Sequence, residues 1–254
     1  MRVNLFFLHG FLGRPGDWTA VRKYLPDQEN VRIFTPDYFN ERLLTPQHNF
    51  QEWSRNFIKW VEDKVAHYDL NILVGYSMGG RLALHALESK PSLWQKVILI
   101  STNSGFNDQN VDFDPRSEER RSRWIHDSYW AEEFIKAPWD TLITNWNAQP
   151  VFSGGLDEPT RQEKDYSRDL LSLALTQWSV AQQKNMRPLL QKWIQKIIWM
   201  VGEKDQKYLK SSTELQGHLP GLRVELVQEA AHRVPFDNPK YLGERLHQLV
   251  QQCF

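Results

Sequence analysis

The chain has 254 residues, and 31 basic side chains balance 31 acidic ones, so the formal net charge is zero. A balanced chain of this length gives no electrostatic reason to expect nucleic acid or an anionic membrane as the main partner. With 41% hydrophobic and 24% charged residues, the composition excludes a disordered tail and is typical of a folded globular protein of one to two domains.

Two further features bear on location. No apolar run approaches the roughly 20 residues that a membrane-spanning helix needs, and the apolar stretch at the start is too short for a signal-peptide core. Cys253 is the one cysteine of the chain, so no intramolecular disulfide can form, and a reducing compartment is favoured. We therefore expect a cytoplasmic protein. The sequence leaves the choice between a monomer and a weak homo-oligomer open.

In chain order, short apolar runs predict strands over residues 3–8, 31–35, 70–74, 97–101, 197–201 and 223–227. Apolar residues at helical spacing predict an amphipathic helix over 50–68, and helices are also expected over 81–89 and 239–252. Strands that alternate with helices are typical of an α/β fold, here a mostly parallel, doubly wound sheet covered on both faces.

This alternation breaks between residues 105 and 192. The stretch is polar, has no convincing strand pattern and contains five tryptophans, Trp124, Trp130, Trp139, Trp146 and Trp178. It predicts several short helices inserted into the α/β pattern, where they would lie over the sheet as a cap. We therefore expect one domain, with a core of residues 1–104 and 193–254 and a helical cap of residues 105–192.

The segment Gly75-Tyr76-Ser77-Met78-Gly79 stands between a predicted strand and a predicted helix. A G-x-S-x-G pattern in that setting is the nucleophile elbow, which holds the serine on a sharp strand-to-helix turn. Glycines at positions 75 and 79 leave room for so tight a turn. The Ser77 hydroxyl would then stand at a helix N-terminus, where partial positive charge favours a developing anion.

A serine nucleophile needs a base, and the base needs a carboxylate that orients it. Asp205 and His232 each follow a predicted strand, and they come after Ser77 in the order expected with such an elbow. In a parallel sheet all three would lie at the same edge. We predict the triad Ser77, His232 and Asp205, with Glu203 and Asp237 as alternative acids. Six other histidines lack such a placement and are interpreted as surface or packing residues, namely His48, His67, His85, His126, His218 and His247.

The site also needs groups that stabilise negative charge. Backbone N–H groups are expected from Met78, directly after the nucleophile, and from Phe11, after the first strand. His9 is interpreted as bracing the turn before Phe11. Arg81 lies one helical turn after Ser77 and can point to the same pocket. A guanidinium there suits a substrate with several carboxylates, because arginine pairs with carboxylates through two hydrogen bonds.

No group of cysteines and histidines has metal-ligand spacing, and no glycine-rich loop is of the phosphate-binding type. We therefore expect neither a metal nor an organic cofactor, and a small molecule as the partner.

Several motifs together resemble the α/β-hydrolase superfamily across nearly the whole chain, namely His9-Gly10-Phe11-Leu12-Gly13, residues 75–80, residues 202–205 and His232. Further segments resemble one branch of it, the 2-succinyl-6-hydroxy-2,4-cyclohexadiene-1-carboxylate synthases of menaquinone biosynthesis. These are residues 75–81, the arginine-rich run 118–123 leading to Trp130-Ala131, residues 146–152 and residues 202–208. The 146–152 segment and the arginines are much more specific than the elbow.

This resemblance implies a substrate-binding set of Tyr76, Arg81, Arg123, Trp146 and Arg168. Which arginine of the run 118–123 faces the pocket stays open among Arg120, Arg121 and Arg123.

The resemblance also implies a lyase. Members of that branch remove a proton from the cyclohexene ring of a succinylated precursor and expel pyruvate, so Ser77 would act as the base. The alternative is an ester or thioester hydrolase that uses the same triad on anionic acyl groups. A third reading, a binding protein on a retired hydrolase scaffold, is disfavoured because all three triad residues are intact.

Three segments depart from the family pattern. The turn after the second strand reads Pro36-Asp37-Tyr38-Phe39-Asn40-Glu41 in place of Asp-Leu-Pro-Gly-His-Gly. Residues 230–233 replace the usual Ala-Gly-His start, and residues 102–106 are only loosely similar to Ser-Pro-Gly-Leu. These changes leave the fold and the triad prediction intact and bear on the choice of substrate.

Overall fold

A computed structural model of the protein describes residues 2–25, 29–107, 117–156 and 159–252. Cys253 lies outside these ranges. In the described residues, six parallel strands form one sheet in the order β2-β1-β3-β4-β5-β6. The strands are β1 (Val3–Leu8), β2 (Val31–Phe34), β3 (Leu70–Tyr76), β4 (Lys96–Ile100), β5 (Ile197–Gly202) and β6 (Arg223–Val227).

Ten α-helices connect and cover these strands in the described ranges. They are α1 (Thr19–Arg22), α2 (Phe50–Glu62), α3 (Met78–Ser89), α4 (Glu118–Lys136), α5 (Trp139–Asn147), α6 (Arg168–Gln177), α7 (Arg187–Lys192), α8 (Gln206–His218), α9 (Val234–Asp237) and α10 (Pro239–Gln251). None of the helices in this part of the chain is long and apolar enough to cross a membrane.

The sheet is buried on both faces because successive strand residues point in opposite directions. In β1, Phe6 and Leu8 belong to one apolar cluster with α2, α3 and α8, whereas Leu5 and Phe7 belong to a second cluster with α1 and α10. Helices therefore cover both faces of the sheet, as the continuous apolar runs of the sequence predict. The α/β fold class is confirmed.

The chain runs from β1 out to the edge strand β2 and returns to the other side of β1 as β3. The carboxyl ends of β1 and β3 therefore lie next to each other at a point where the strand order reverses. Open parallel sheets place their ligand sites outside the strand ends at such a point. The loop after β1 and the elbow after β3 meet there.

The helix predicted over residues 50–68 is shorter than expected and ends at Glu62. Beyond that residue the backbone forms hydrogen bonds with side chains. The Lys64 carbonyl accepts a hydrogen bond from Arg32, and the Asp69 carboxylate accepts one from the Ala66 N–H. One tertiary partner and one local partner thus satisfy backbone groups that a longer helix would have used. Conversely, the helix predicted from residue 81 begins at Met78, directly after Ser77.

The described residues between 105 and 192 contain helices and no strand. Their apolar side chains continue the larger cluster on the sheet, and they include the buried Trp130, Trp139, Trp146 and Trp178, whereas Trp124 is half-buried. The helices α4 and α6 pack against each other. Four of the five tryptophans of this stretch are therefore buried in the apolar cluster that joins its helices to the sheet.

Candidate active site

Ser77 stands between β3 and α3 in a strained backbone conformation, with φ of 51°. Its N–H donates to the Ile100 carbonyl at 2.8 Å, and its carbonyl accepts from the Thr102 hydroxyl at 2.7 Å. A Cβ at Gly79 would lie 2.2 Å from the Leu8 carbonyl oxygen, and one at Gly75 would lie 2.5 Å from the Gly79 oxygen. The prediction that this turn needs glycine at both positions is confirmed.

Ser77, His232 and Asp205 form a hydrogen-bonded chain. The Ser77 Oγ lies 3.1 Å from His232 Nε2, and His232 Nδ1 lies 2.8 Å from Asp205 Oδ2. Both His232 and Asp205 are 3% exposed, so the contact between these two side chains is shielded from water, whereas the contact between Ser77 and His232 is part-buried. In this arrangement a carboxylate orients the imidazole, and the imidazole can accept the serine proton.

Asp205 reaches His232 from the N-terminus of α8. Its Oδ1 accepts the N–H of Tyr208 at 3.2 Å and caps the helix, which leaves Oδ2 for the histidine. The two alternative acids are engaged elsewhere. Asp237 accepts the N–H groups of Leu156 and Ala231, and Glu203 accepts that of Glu229.

The two residues predicted to stabilise negative charge line the same cavity as Ser77. Met78 is the first residue of α3, and Phe11 lies in a turn closed by a 3.0 Å hydrogen bond from the Gly13 N–H to the Gly10 carbonyl. Both residues line the cavity described below. Within the described ranges, neither N–H donates to a protein acceptor. Both groups are therefore available to an anion, and the N-terminus of α3 adds its dipole.

The cavity over Ser77 has a volume of about 270 Å³. His232 and Met78 lie at its base beside the serine, and rings from both the core and the insertion form its walls, namely Phe11, Trp146, Phe152 and Tyr208. The ring of Phe11 lies 4.8 Å from that of Trp146, so the wall is continuous across the two parts. The cavity therefore offers an apolar enclosure around one polar reacting group.

Positive charge dominates the rest of the lining. Arg81, Arg123 and Lys207 face the cavity, whereas Asp127 is the one carboxylate among the lining residues that the structure describes. This leaves an excess of two positive charges. An enclosed cationic surface of this kind is suited to bind a small molecule with more than one carboxylate.

Arg81 is held rigidly. It is 7% exposed, and its Nε and Nη2 donate to the Trp178 carbonyl at 3.2 and 2.7 Å. Burial, together with the positive charge of Arg123, lowers the pKa of Arg81 to about 10. Loss of water around the Lys207 ammonium and the charge of Arg123 likewise lower the pKa of Lys207. These cations would be stabilised by an anionic ligand.

Asp127 fixes Arg123. Its Oδ2 accepts from Arg123 Nε at 2.8 Å and from the Ser179 hydroxyl at 2.7 Å. Burial by itself would raise the pKa of Asp127, but the hydrogen bonds from His126, Arg123 and Ser179 and the charge of Arg123 outweigh it and hold the pKa below its usual value. Asp127 is therefore charged and orients the guanidinium of Arg123.

The structure brings Arg81, Arg123 and Trp146 of the predicted binding set to the cavity, but not Tyr76 or Arg168. Tyr76 belongs to the apolar cluster that contains Leu5 and Phe7, and its ring lies 5.7 Å from that of His232 without lining the cavity. Arg168 donates to the carbonyls of Phe134 and Ala137 and to Glu163.

The other two arginines of the run 118–123 also lie away from the lining. Arg121 is exposed, whereas Arg120 is buried and donates to the Ala181 and Gln183 carbonyls at 2.7 and 2.8 Å. Arg123 is thus the arginine of this run that faces the cavity, which answers the question that the sequence left open.

Asp127, Lys207 and Tyr208 are among the lining residues that the sequence analysis did not predict as site residues. Each had a local signal. Asp127 follows Arg123 by four residues and so shares its helix face, and the other two lie in the first turn after Asp205. His126, interpreted as a surface or packing residue, also borders the cavity. The described residues contain no group of three or more potential metal-binding side chains.

His9 is buried under the loop after β1. Its Nδ1 lies 2.9 Å from the Gly10 carbonyl, its ring stacks on Tyr38 at 3.8 Å, and the Tyr38 hydroxyl donates to the His9 carbonyl. Burial lowers the pKa of His9 to about 4, so the ring is neutral near pH 7. His9 and Tyr38 therefore fill the base of the turn that carries Phe11.

Comparison with known proteins identifies the family to which this chain belongs. The family model described as alpha/beta hydrolase fold matches residues 3–239, so the chain belongs to that family. It is 27% identical to the 2-succinyl-6-hydroxy-2,4-cyclohexadiene-1-carboxylate synthase of Enterobacter sp. (strain 638), over 97% of this chain and 91% of that protein. The protein of the same name from Serratia proteamaculans is 25% identical, over 98% of this chain and 93% of the relative.

Among solved structures, MenH from S. aureus superimposes with a TM-score of 0.80 and 21% identity, covering 99% of this chain and 94% of that one. This likeness is one of fold.

Proposed function

Taking membership of the alpha/beta hydrolase family as the premise, we propose that this protein is a lyase of menaquinone biosynthesis. It eliminates pyruvate from a succinylated hydroxycyclohexene carboxylate, with Ser77, His232 and Asp205 acting together as the base. The names of the full-length relatives support this activity. Residues 1–104 and 193–254 form the core of the enzyme, and residues 105–192 form its cap.

One observation carries the proposal: the excess of two positive charges lies in the same cavity as the Ser77 hydroxyl and His232 Nε2. A neutral ester would gain nothing from the guanidinium groups of the buried Arg81 and the half-buried Arg123 next to the reacting serine. A substrate with several carboxylates would be bound and oriented by them, because charge-assisted hydrogen bonds to arginine are strong and directional.

The chemistry is a proton transfer followed by elimination. His232 Nε2 takes the Ser77 proton as Ser77 Oγ takes a proton from the substrate ring. The electrons of that C–H bond form part of the conjugated diene, the bond to the leaving group breaks, and the leaving group departs with the bonding electrons as the enolate of pyruvate. The enolate takes up the proton that His232 holds, which gives pyruvate and restores the neutral imidazole. Asp205 stabilises the imidazolium that forms, and no bond between serine and substrate is needed.

Negative charge develops on a substrate carboxylate or carbonyl while the proton leaves. The N–H groups of Phe11 and Met78 bind that oxygen, and the aromatic walls keep water away, which strengthens both hydrogen bonds. Arg81, Arg123 and Lys207 hold carboxylates that do not react, with Trp146 as the apolar contact.

The test supplies the succinylated precursor, made enzymatically in the same reaction, and follows pyruvate release together with the absorbance of the new diene. The proposal expects both signals to rise in parallel and to be lost in Ser77→Ala. Diene formation that is independent of Ser77 would refute the role of the base. No pyruvate release by the wild type would refute the lyase.

A second candidate is an ester or thioester hydrolase acting on anionic acyl groups. The observation that favours it is the elbow, which presents the Ser77 Oγ beside two available N–H groups, the arrangement that acyl transfer requires. A burst of nitrophenol from an acidic nitrophenyl ester, with a trapped acyl group on Ser77 and no pyruvate release from the precursor, would assign the hydrolase. Pyruvate release without a burst would assign the lyase.

A further inference from the structure

A short segment of the insertion, residues 161–166, forms hydrogen bonds with the loop that carries Phe11, and we call this segment the strap. Arg161 donates from both terminal nitrogens to the two carboxylate oxygens of Asp17, each at 2.9 Å. The Tyr166 hydroxyl donates to the Leu12 carbonyl at 2.8 Å. The strap therefore contacts the loop at two positions, Leu12 and Asp17.

The pair of Arg161 and Asp17 is well shielded, since the two side chains are 4% and 11% exposed. Asp17 Oδ2 also accepts the N–H of Arg14 at 3.0 Å, so the same carboxylate fixes the loop from within. Paired hydrogen bonds between a guanidinium and a carboxylate set the orientation of both groups as well as their distance. This contact therefore fixes where the loop lies relative to the insertion.

The turn next to Phe11 needs such support. Leu12 has φ of 58°, in the left-handed region that a leucine rarely adopts, and its side chain is fully buried. A residue in that conformation persists only where its surroundings hold it there. The Tyr166 hydroxyl holds the carbonyl of this residue, and the Tyr166 ring is itself fixed by stacking on Trp139 at 5.5 Å.

We infer that Arg161 and Tyr166 are positioning residues for the reaction. They hold the strained turn so that the Phe11 N–H points at the oxygen that becomes negative beside Ser77. This inference rests on the proposed role of that N–H. Because the cations of the cavity bind the substrate in its ground state, a displaced N–H lowers the rate and leaves substrate affinity largely intact.

The first test uses Tyr166→Phe, which keeps the stacked ring and removes only the hydroxyl, and Arg161→Lys, which keeps the charge and loses the paired geometry. For each variant we expect kcat to fall about tenfold, with KM within about twofold of the wild type. Tyr166→Phe keeps the test decisive if Arg161→Lys fails to fold.

The chain offers a matched control. Arg245 pairs with both carboxylate oxygens of Glu225 at 2.9 and 3.0 Å, and these side chains are 10% and 11% exposed. They connect α10 to β6, and neither lines the cavity. Arg245→Lys should lower the melting temperature as Arg161→Lys does but leave kcat unchanged. If the strap only stabilised the fold, Arg161→Lys, like Arg245→Lys, would lower the melting temperature and leave kcat unchanged.

A second readout reports the anion site without turnover. 3-Carboxyphenylboronic acid adds its boron to the Ser77 Oγ, the serine proton passes to His232, and the boron becomes a tetrahedral anion. We expect Tyr166→Phe and Arg161→Lys to weaken this binding about tenfold, and Arg245→Lys to leave it unchanged. Equal kcat and equal affinity in the strap variants and the control would overturn the inference.

The two proposals fail in different ways. If the wild type binds the boronic acid but releases no pyruvate from the precursor, the lyase is refuted, and the strap is still judged by the affinities. If the wild type does not bind the boronic acid, no anion site forms at Ser77, and the inference fails.

Discussion

The sheet edge and the inserted helices contribute to the same cavity, but their residues are placed by different constraints. Ser77, Asp205 and His232 each follow a strand, and the backbone of each loop is fixed by the parallel sheet beneath it. The insertion has no such frame in its described residues. Its side chains are directed by helix packing, so neighbouring positions have different environments.

Three arginines of the insertion illustrate the difference. Arg123 faces the cavity, whereas Arg120 bonds to the Ala181 and Gln183 carbonyls and Arg168 bonds to the carbonyls of Phe134 and Ala137 near the end of α4. A guanidinium at a helix C-terminus satisfies carbonyls that lack partners and suits the helix dipole. The same residue type thus lines the cavity in one case and terminates a helix in another.

The largest effect should come from the sheet edge. We expect Ser77→Ala to lower kcat by about 10³-fold or more, because the base is removed, and to leave the melting temperature nearly unchanged. Ser101 is a matched control, since it follows β4 as Ser77 follows β3 and also has a left-handed backbone, with φ of 44°. Ser101→Ala should keep full activity. If both variants lost activity, the loss in Ser77→Ala could be assigned to disturbance of a strained strand end, and it would not support a specific role of the Ser77 hydroxyl.

A smaller effect is expected in the insertion. Arg123→Gln should raise KM roughly ten- to a hundredfold, because a substrate carboxylate loses its cation while Asp127 remains charged nearby. Arg168→Gln should leave KM within about twofold and lower the melting temperature, since its partners are carbonyls of the protein. Steady-state kinetics and thermal unfolding of Arg123→Gln and Arg168→Gln test these two expectations. A large KM change in Arg168→Gln would reverse the assignment of the two arginines.

The pH dependence of KM should be next in size. Burial and the charge of Arg123 lower the pKa of Arg81 to about 10, so Arg81 loses its proton as the pH rises through that value. With one cation fewer, an anionic substrate binds more weakly, and KM should rise severalfold between about pH 8 and about pH 10.5, a range in which an ordinary arginine stays charged. Lys207→Gln controls for the lysine, whose pKa is also lowered. A KM that stays flat in the wild type would contradict this prediction.

The smallest effect is expected from His126, at the cavity border. Its Nδ1 lies 3.4 Å from Asp127 Oδ1, and its side chain is 51% exposed, so this contact is largely screened by water. We expect His126→Asn to change KM by no more than about twofold near pH 7.5. A tenfold change would mean that the border contributes to binding as strongly as the buried arginines.

The sequence by itself determined the sheet and the reacting end of the cavity. Six apolar runs predicted six strands, whereas the helix predicted to residue 68 ends at Glu62 and the helix α8 was not predicted. The order of Ser77, Asp205 and His232 along the chain predicted their meeting, because parallel strands bring their carboxyl ends to one edge. These signals are local and periodic, so a single chain displays them without its neighbours.

Only the tertiary structure decided which arginines of the insertion face the cavity and which contacts hold the charged side chains in place. Arg81 is held by a carbonyl 97 positions away in the chain, and the strap arginine Arg161 bonds to Asp17 across 144 positions. Neither contact leaves a pattern in the sequence around either partner. A long, flexible cation takes the direction in which its partners lie, and those partners are brought together only when the insertion packs on the sheet.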